Sequence, residues 1–281
     1  MIQDHNQELL DSLIRIAIAE DVAGGDLATH SIIPAQTTAI AVMTAKAEGV
    51  VSGIEVARRV IDTMGPNTFV PLVQDGDYVH PKQELVRIEA AYDTLLSSER
   101  IMLNFLQRMS GIATATHRLV ELIKGTGVAL LDTRKTLPGH RFTDKMAVRH
   151  GGGTNHRMGL YDMAMLKDNH IKAAGGIAPA VAQARKCLPI SIKIEVETTN
   201  LDEVAQALQA GADIIMLDNM SCPDMSKAVE LIAGRAKTEA SGNITAERIV
   251  QVAATGVDYI SVGAITHTVK ALDISMNFVE G

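Results

Sequence analysis

A repeated pattern in the second half of the chain limits the fold more than any other feature. Residues 201–217 and 245–262 each read as an Ala-rich amphipathic helix, a glycine, an aspartate and a short β-branched run, with Gly211-Ala212-Asp213 matching Gly256-Val257-Asp258. A glycine at that point suits the left-handed residue that ends a helix. The two glycines stand 45 residues apart, which fits two consecutive βα units of roughly 20–25 residues each. Short strands alternating with helices imply a parallel sheet with crossover helices.

The presumed strands end alike. Val128–Leu131 runs into Asp132-Thr133-Arg134-Lys135, and Met163–Leu166 into Lys167-Asp168-Asn169-His170. Ser191–Glu197 ends in a glutamate, and Ile214–Leu217 runs into Asp218-Asn219. The stretch after Lys237 leads to Ser241-Gly242-Asn243, and Tyr259–Val262 ends at Gly263-Ala264. Polar residues at one such end are ordinary turn or cap chemistry. Six ends that include two lysines and an arginine favour an active site at the C-terminal rim of a βα barrel. The glycines of the last two loops let backbone N–H groups approach a phosphate.

Ser191–Glu197 also alternates strictly, with Lys193, Glu195 and Glu197 opposite Ile192, Ile194 and Val196. A parallel strand is normally covered on both faces. Its charges are therefore expected inside the barrel, paired with one another or with a metal.

The charge distribution points to anions. The chain carries 26 Lys and Arg against 33 Asp and Glu, a net −7, yet Arg134–Lys172 holds eight Lys or Arg and four His against three Asp. That island contains residues 133–141 (Thr-Arg-Lys-Thr-Leu-Pro-Gly-His-Arg) and 151–157 (Gly-Gly-Gly-Thr-Asn-His-Arg), mixtures suited to phosphates or carboxylates. His156, beside Arg157, is expected to donate to an anion rather than to bind a metal. An acidic chain with 3% aromatics does not suit nucleic acid. No apolar run approaches the roughly 20 residues that cross a bilayer. A polar N-terminus and two unpaired-looking thiols, Cys187 and Cys222, lead us to expect a cytoplasmic protein.

The first half mixes helices and strands without alternation. Helices are expected over the first ~20 residues, over Ile54–Met64 and over Leu95–Lys124, the last broken at Ser110-Gly111. A strand is expected over Thr38–Ala47, and a hairpin at the Asp75-Gly76 turn.

These motifs, with Glu20–Asp26, Glu99–Asn104, Ser110–Thr114, Leu166–His170 and Leu217–Asn219, resemble those of the quinolinate phosphoribosyltransferases almost end to end. The resemblance implies an N-terminal α/β sandwich domain over residues 1–112 and an incomplete (β/α) barrel over 113–270. Residues 271–281 would return to the first domain. It implies transfer of the 5-phosphoribosyl group from 5-phosphoribosyl-1-pyrophosphate to quinolinate with Mg²⁺, giving nicotinate mononucleotide, pyrophosphate and CO₂. This is a step of de novo NAD synthesis, performed by a homodimer or dimer-based oligomer.

By the same resemblance Thr133, Arg134, His156, Arg157 and Lys167 look like substrate-binding residues, with Arg100 donated by the neighbouring subunit. Lys135, Glu197 and Asp218 look catalytic, serving the pyrophosphate and ribose. Glu197 and Asp218 would also meet the metal, directly or through water. Ser241, Gly242, Asn243, Val262, Gly263 and Ala264 look like the 5′-phosphate cradle. Ala28, Pro81 and Asn243 depart from the family pattern and touch only local loop geometry.

Three other readings stand beside this one. A Schiff-base lyase or aldolase would use Lys167 or Lys193. A related phosphoribosyltransferase would take another heterocyclic acid. A non-enzymatic carrier domain would be built on the Asp75–Val79 turn.

Overall fold

The computed structural model describes residues 2–34 and 37–279. In chain order the elements are α1 (Ile2–Asp21), α2 (Leu27–Ile32), β1 (Thr38–Ala45), β2 (Gly49–Val50), α3 (Ile54–Met64), β3 (Asn67–Pro71), β4 (Tyr78–Val79), β5 (Glu84–Ala91) and α4 (Tyr92–Leu122). There follow β6 (Ala129–Leu131), α5 (Arg141–His150), β7 (Ala164–Leu166), α6 (Asp168–Ala174), α7 (Ile177–Cys187), β8 (Ile194–Thr198), α8 (Leu201–Gln209) and β9 (Ile214–Asp218). The chain continues through α9 (Cys222–Ile232), β10 (Lys237–Ser241), α10 (Ala246–Ala253), β11 (Tyr259–Ser261), α11 (Ala264–His267) and β12 (Ile274–Val279). No described helix is long and apolar enough to cross a membrane.

Two compact units emerge. The first contains the chain up to His117, residues 136–152 and the chain from Ile265 onward; the second contains residues 118–135 and 153–264. The boundary expected at residue 112 thus lies inside α4. Residues 136–152, expected in the barrel, group with the first unit. Within that unit an ion pair joins Arg108 of α4 to the fully buried Asp144 of α5, at 3.0 Å from Nε and 2.8 Å from Nη2.

The first unit is built on an antiparallel sheet in the order β12-β1-β5-β3. Leu85, Val86, Ile88 and Ala90 of β5 are buried, as are Leu95, Met102, Leu106 and Met109 of α4. Two expectations are corrected here. Tyr78–Val79 pairs with Gly49–Val50 rather than with a strand just before the turn, so the Asp75-Gly76 signal is a loop and not a hairpin. The Asp75 carboxylate accepts from Gly53 N at 2.7 Å and Ile54 N at 3.0 Å, which starts α3. The helix expected to break at Ser110-Gly111 runs through it. Gly111 is needed for close approach: a Cβ there would lie 2.3 Å from the Lys270 carbonyl oxygen.

The second unit holds a six-stranded parallel sheet in the order β6-β11-β10-β9-β8-β7. No pairing among the described residues closes β6 on β7, so the barrel is incomplete. The repeated glycines do the same work in both copies. Gly211 (φ 80°) and Gly256 (φ 86°) follow α8 and α10 in the left-handed region, where a side chain would be strained. The aspartates two residues on also match. Asp213 accepts from Ile194 N at 2.6 Å, and Asp258 from Thr238 N at 2.9 Å, so each anchors the start of a neighbouring strand. Asn200 and Ser221 cap α8 and α9 by accepting from Glu203 N and Asp224 N, satisfying donors that helix starts leave open.

Strand β8 begins at Ile194, not Ser191, because Ile192 N bonds back to Pro189 O in a turn. Lys193 is therefore exposed and outside the strand. In-register neighbours in a parallel sheet share a face. Glu197 pairs with Met216 and Met216 with Glu239, while Asp218 pairs with Ser241 and Met165 with Glu195. Glu195, Glu197, Asp218, Glu239 and Ser241 consequently lie on one face, where Glu195 and Glu239 are buried and Glu197, Asp218 and Ser241 are partly exposed.

Candidate active site

The buried carboxylates belong to a charge cluster. Glu195 and Glu239 are 0% and 1% exposed. Their carboxylates lie 3.2 Å and 3.1 Å from Nε2 of His156. His156 is held in turn by its own loop: Asp132, fully buried at the end of β6, accepts from His156 N at 2.9 Å and from Asn155 Nδ2 at 2.6 Å. His156 thus faces the protein's own buried carboxylates, where an external anion had been expected.

Nδ1 of His156 accepts from Arg157 N at 2.7 Å, which leaves the ring's proton on Nε2. One such proton cannot be aimed at two carboxylates, and none of the four carboxylate oxygens has a well-directed hydrogen bond. Burial lifts Glu195 to about 7, with the charge of Glu239 adding and His156 opposing. Burial disfavours a charged imidazole, but the two glutamates outweigh it and lift His156 to about 10. Because Nδ1 is occupied as an acceptor, we assign that extra proton to the cluster as a whole.

His156, Glu195 and Glu239 also offer ligand atoms within 4.8 Å of one another, a spacing able to hold a divalent cation. The enclosure and the imidazole ligand suit Mg²⁺ poorly, since that ion favours oxygen ligands and keeps several waters.

The partly exposed residues meet solvent. Lys167 Nζ meets Glu197 Oε2 at 2.5 Å, with side-chain exposures of 44% and 17%. Lys167 is a half-exposed ammonium paired with a carboxylate, not the desolvated amine a Schiff-base enzyme needs. Asp218 ends β9, half-buried, and accepts from Asn219 Nδ2 at 2.7 Å. Arg157 donates to the Met163 carbonyl at 3.1 Å. Burial and the neighbouring Arg134 charge draw its pKa below the ordinary value, opposed by Glu195 and Asp162. Arg134 and Lys135 are exposed beyond β6, and Lys135 N bonds Thr133 Oγ1 at 3.1 Å.

Gly242 (φ 89°) and Asn243 (φ 51°) form a left-handed turn after Ser241. Val262 N bonds the Leu131 carbonyl at 3.0 Å, which seats Gly263 and Ala264 just beyond β11.

Every expected site residue except Arg100 belongs to the second unit; Arg100 is exposed on α4 in the first. The positive island is not one site. Lys145 is buried in the first unit, and His150 there meets Ser52 Oγ at 2.8 Å. Burial pulls the pKa of His150 down, so it serves the fold as a neutral side chain.

Two family models match the chain. The N-terminal domain of quinolinate phosphoribosyl transferase covers residues 26–110, and the C-terminal domain covers residues 112–277. The chain belongs to the quinolinate phosphoribosyltransferase family. It is 42% identical to the chloroplastic nicotinate-nucleotide pyrophosphorylase (carboxylating) of Arabidopsis thaliana, over 95% of this chain and 82% of that one. It is 41% identical to the probable nicotinate-nucleotide pyrophosphorylase of Bacillus subtilis, over 97% and 94%. Among solved structures it resembles the nicotinate-nucleotide pyrophosphorylase of Francisella tularensis with a TM-score of 0.93 and 42% identity, covering 97% and 96% of the two chains. This quinolinate phosphoribosyltransferase family member therefore has both domains of the family.

Sequence reasoning missed Glu239, Asp132 and Asn219. Glu239 lies within Lys237–Ser241, a strand between two helical units, where the argument applied to Glu195 would have found it. The partners of Asp132 and Asn219 come from loops that only the folded sheet brings together.

Proposed function

We propose that the rim of the second unit's sheet joins quinolinate to 5-phosphoribosyl-1-pyrophosphate, with the cations and carboxylates divided between the two substrates. The enzyme is a pentosyltransferase of NAD biosynthesis, and its products are nicotinate mononucleotide, pyrophosphate and CO₂. The carrying observation is the Lys167–Glu197 pair on the strand-end rim that also bears Arg134 and Arg157, two cations that feel each other's charge: cations for a dianion and carboxylates for a developing cation on one rim.

Arg134, Arg157 and Lys167 hold the two carboxylates of quinolinate, with Thr133 at the loop and His156 beneath them. Lys135 binds the pyrophosphate. Ser241, Gly242 and Asn243, with Val262, Gly263 and Ala264, cradle the 5′-phosphate through backbone N–H groups. Departure of pyrophosphate breaks the bond between the ribose anomeric carbon and oxygen and leaves positive charge on that carbon. Glu197 and Asp218 stabilise it. The ring nitrogen of quinolinate then bonds to the carbon and becomes a pyridinium. The adjacent carboxylate leaves as CO₂, its bonding electron pair stays on the ring carbon where the neighbouring pyridinium charge stabilises it, and that pair takes a proton from water. No enzyme nucleophile is needed.

The part-exposed oxygen donors of Glu197 and Asp218 fit Mg²⁺, which supplies neutralisation of the leaving pyrophosphate. The exposed Arg100 reaches the site of a second subunit in a dimer. A cytoplasmic setting belongs to the same reading, and both Cys187 and Cys222 are free thiols.

Arg134→Ala and Lys167→Ala test the division of labour. Each is expected to raise the KM for quinolinate by about 10- to 100-fold, the loss of one charge-assisted contact, while melting temperature holds. Unchanged quinolinate kinetics in a folded variant would remove that residue from the subsite. Arg100→Ala chains mixed with Lys135→Ala chains should regain activity that neither has alone; no recovery would contradict donation across the interface.

A further inference from the structure

Asn219 follows Asp218 at the end of β9 and has no part in the assignments above. Its backbone is left-handed (φ 54°), a conformation that asparagine tolerates better than most residues. Its N–H donates to the Ser241 carbonyl at 2.9 Å. The side chain works in two directions. Nδ2 donates to Asp218 Oδ2 at 2.7 Å, and Oδ1 accepts from Asn243 Nδ2 at 3.0 Å.

The amide orientation follows from these partners. A flipped amide would set oxygen against the Asp218 carboxylate and an NH₂ against the NH₂ of Asn243. The loop is shaped around this side chain. A Cβ on Gly242 would lie 2.2 Å from Asn219 Oδ1, so any residue but glycine would displace the amide or the turn.

Arg248 of α10 closes the arrangement from the other side. Its Nη2 donates to Met220 O at 2.9 Å, and its Nη1 lies 3.3 Å and 3.4 Å from the carbonyls of Gly242 and Asn243. The β9 carboxylate and the turn after β10 are thus one hydrogen-bonded body, with Asn219 at the joint.

We infer that Asn219 is a positioning residue for the sugar donor: it sets the direction of the Asp218 carboxylate and registers it against the 241–243 turn. This rests on the proposed assignment of Asp218 to the ribose and pyrophosphate and of the turn to the 5′-phosphate. A donor held at both points needs the two at a fixed separation, and small misplacement of a reacting group is costly.

The test compares Asn219→Ala, Asn219→Gly and Asp218→Asn in steady-state kinetics with each substrate varied, alongside thermal melting. Glycine accepts the left-handed backbone and removes only the side chain. Both Asn219 variants should raise the KM for 5-phosphoribosyl-1-pyrophosphate by about 10- to 100-fold, with quinolinate KM within about twofold. A glycine variant with wild-type donor kinetics would overturn the inference and leave Asn219 a turn residue only. Equal losses for both substrates with a lowered melting temperature would also overturn it. The Asp218→Asn variant checks the underlying reading separately. If its defect falls on quinolinate rather than the donor, the assignment of Asp218 fails whatever the Asn219 variants do.

Discussion

Glu197→Gln should lower kcat by about 10²- to 10³-fold, the usual loss when a preorganised electrostatic partner of the transition state is removed. Glutamine keeps the volume and an acceptor oxygen but not the charge. The side chain is 17% exposed and its neighbour Lys167 is 44% exposed, so the substitution strands no buried ion and the melting temperature should hold. The KM for quinolinate should not rise. Lys167, relieved of its 2.5 Å partner, would attract the dianion at least as well as before. Steady-state kinetics with quinolinate varied separates the two effects. An unchanged kcat would remove Glu197 from the chemistry, and a defect confined to quinolinate KM would make it a holder of Lys167 only.

His156→Ala should destabilise the fold by about 3–5 kcal/mol, the cost of leaving buried carboxylates uncompensated. The stability of the unaltered protein should also fall as pH rises from 7 toward 10. Above the ordinary histidine value of 6.5 the unfolded chain holds neither a charged imidazole nor a protonated glutamate. The folded cluster keeps a proton, with His156 raised to about 10 and Glu195 to about 7. The native state then binds more protons than the unfolded state, so the slope with pH is negative. The contribution is complete below the unfolded values and is lost as pH passes first through about 7 and then through about 10. One proton corresponds to a slope of at most about 1.4 kcal/mol per pH unit. Denaturant unfolding at pH 7, 8 and 9 measures it. A Glu195→Gln variant, which carries one buried carboxylate fewer, should flatten the curve. An unaltered protein equally stable across that range would contradict the cluster's proton count.

The barrel was legible because its signals are local. Gly211 and Gly256 end the helices just before them, and Asp213 and Asp258 mark the same two turns, although the strand starts they anchor lie one βα unit earlier in the chain. The strand-end polar residues were legible for the same reason. Features set by distant segments were not. Gly111 looks like a helix break until the Lys270 carbonyl is brought against it. The Asp75-Gly76 turn looks like a hairpin until Tyr78 pairs with Val50. Charge was a partial guide. The island from Arg134 to Lys172 pointed to anions, but the sequence does not say that α5 takes Lys145 and Arg149 into the other unit. His156 shows the limit most clearly, because its partners Glu195 and Glu239 sit on two non-adjacent strands.

The division of the rim between a dicarboxylate and a sugar donor is tested most directly by following CO₂ from quinolinate labelled at the carboxylate next to the ring nitrogen. The purified protein would be assayed with and without 5-phosphoribosyl-1-pyrophosphate and Mg²⁺. CO₂ should appear only when the donor and Mg²⁺ are both present, one for each pyrophosphate formed. Release without the donor, or none with it, would contradict the account.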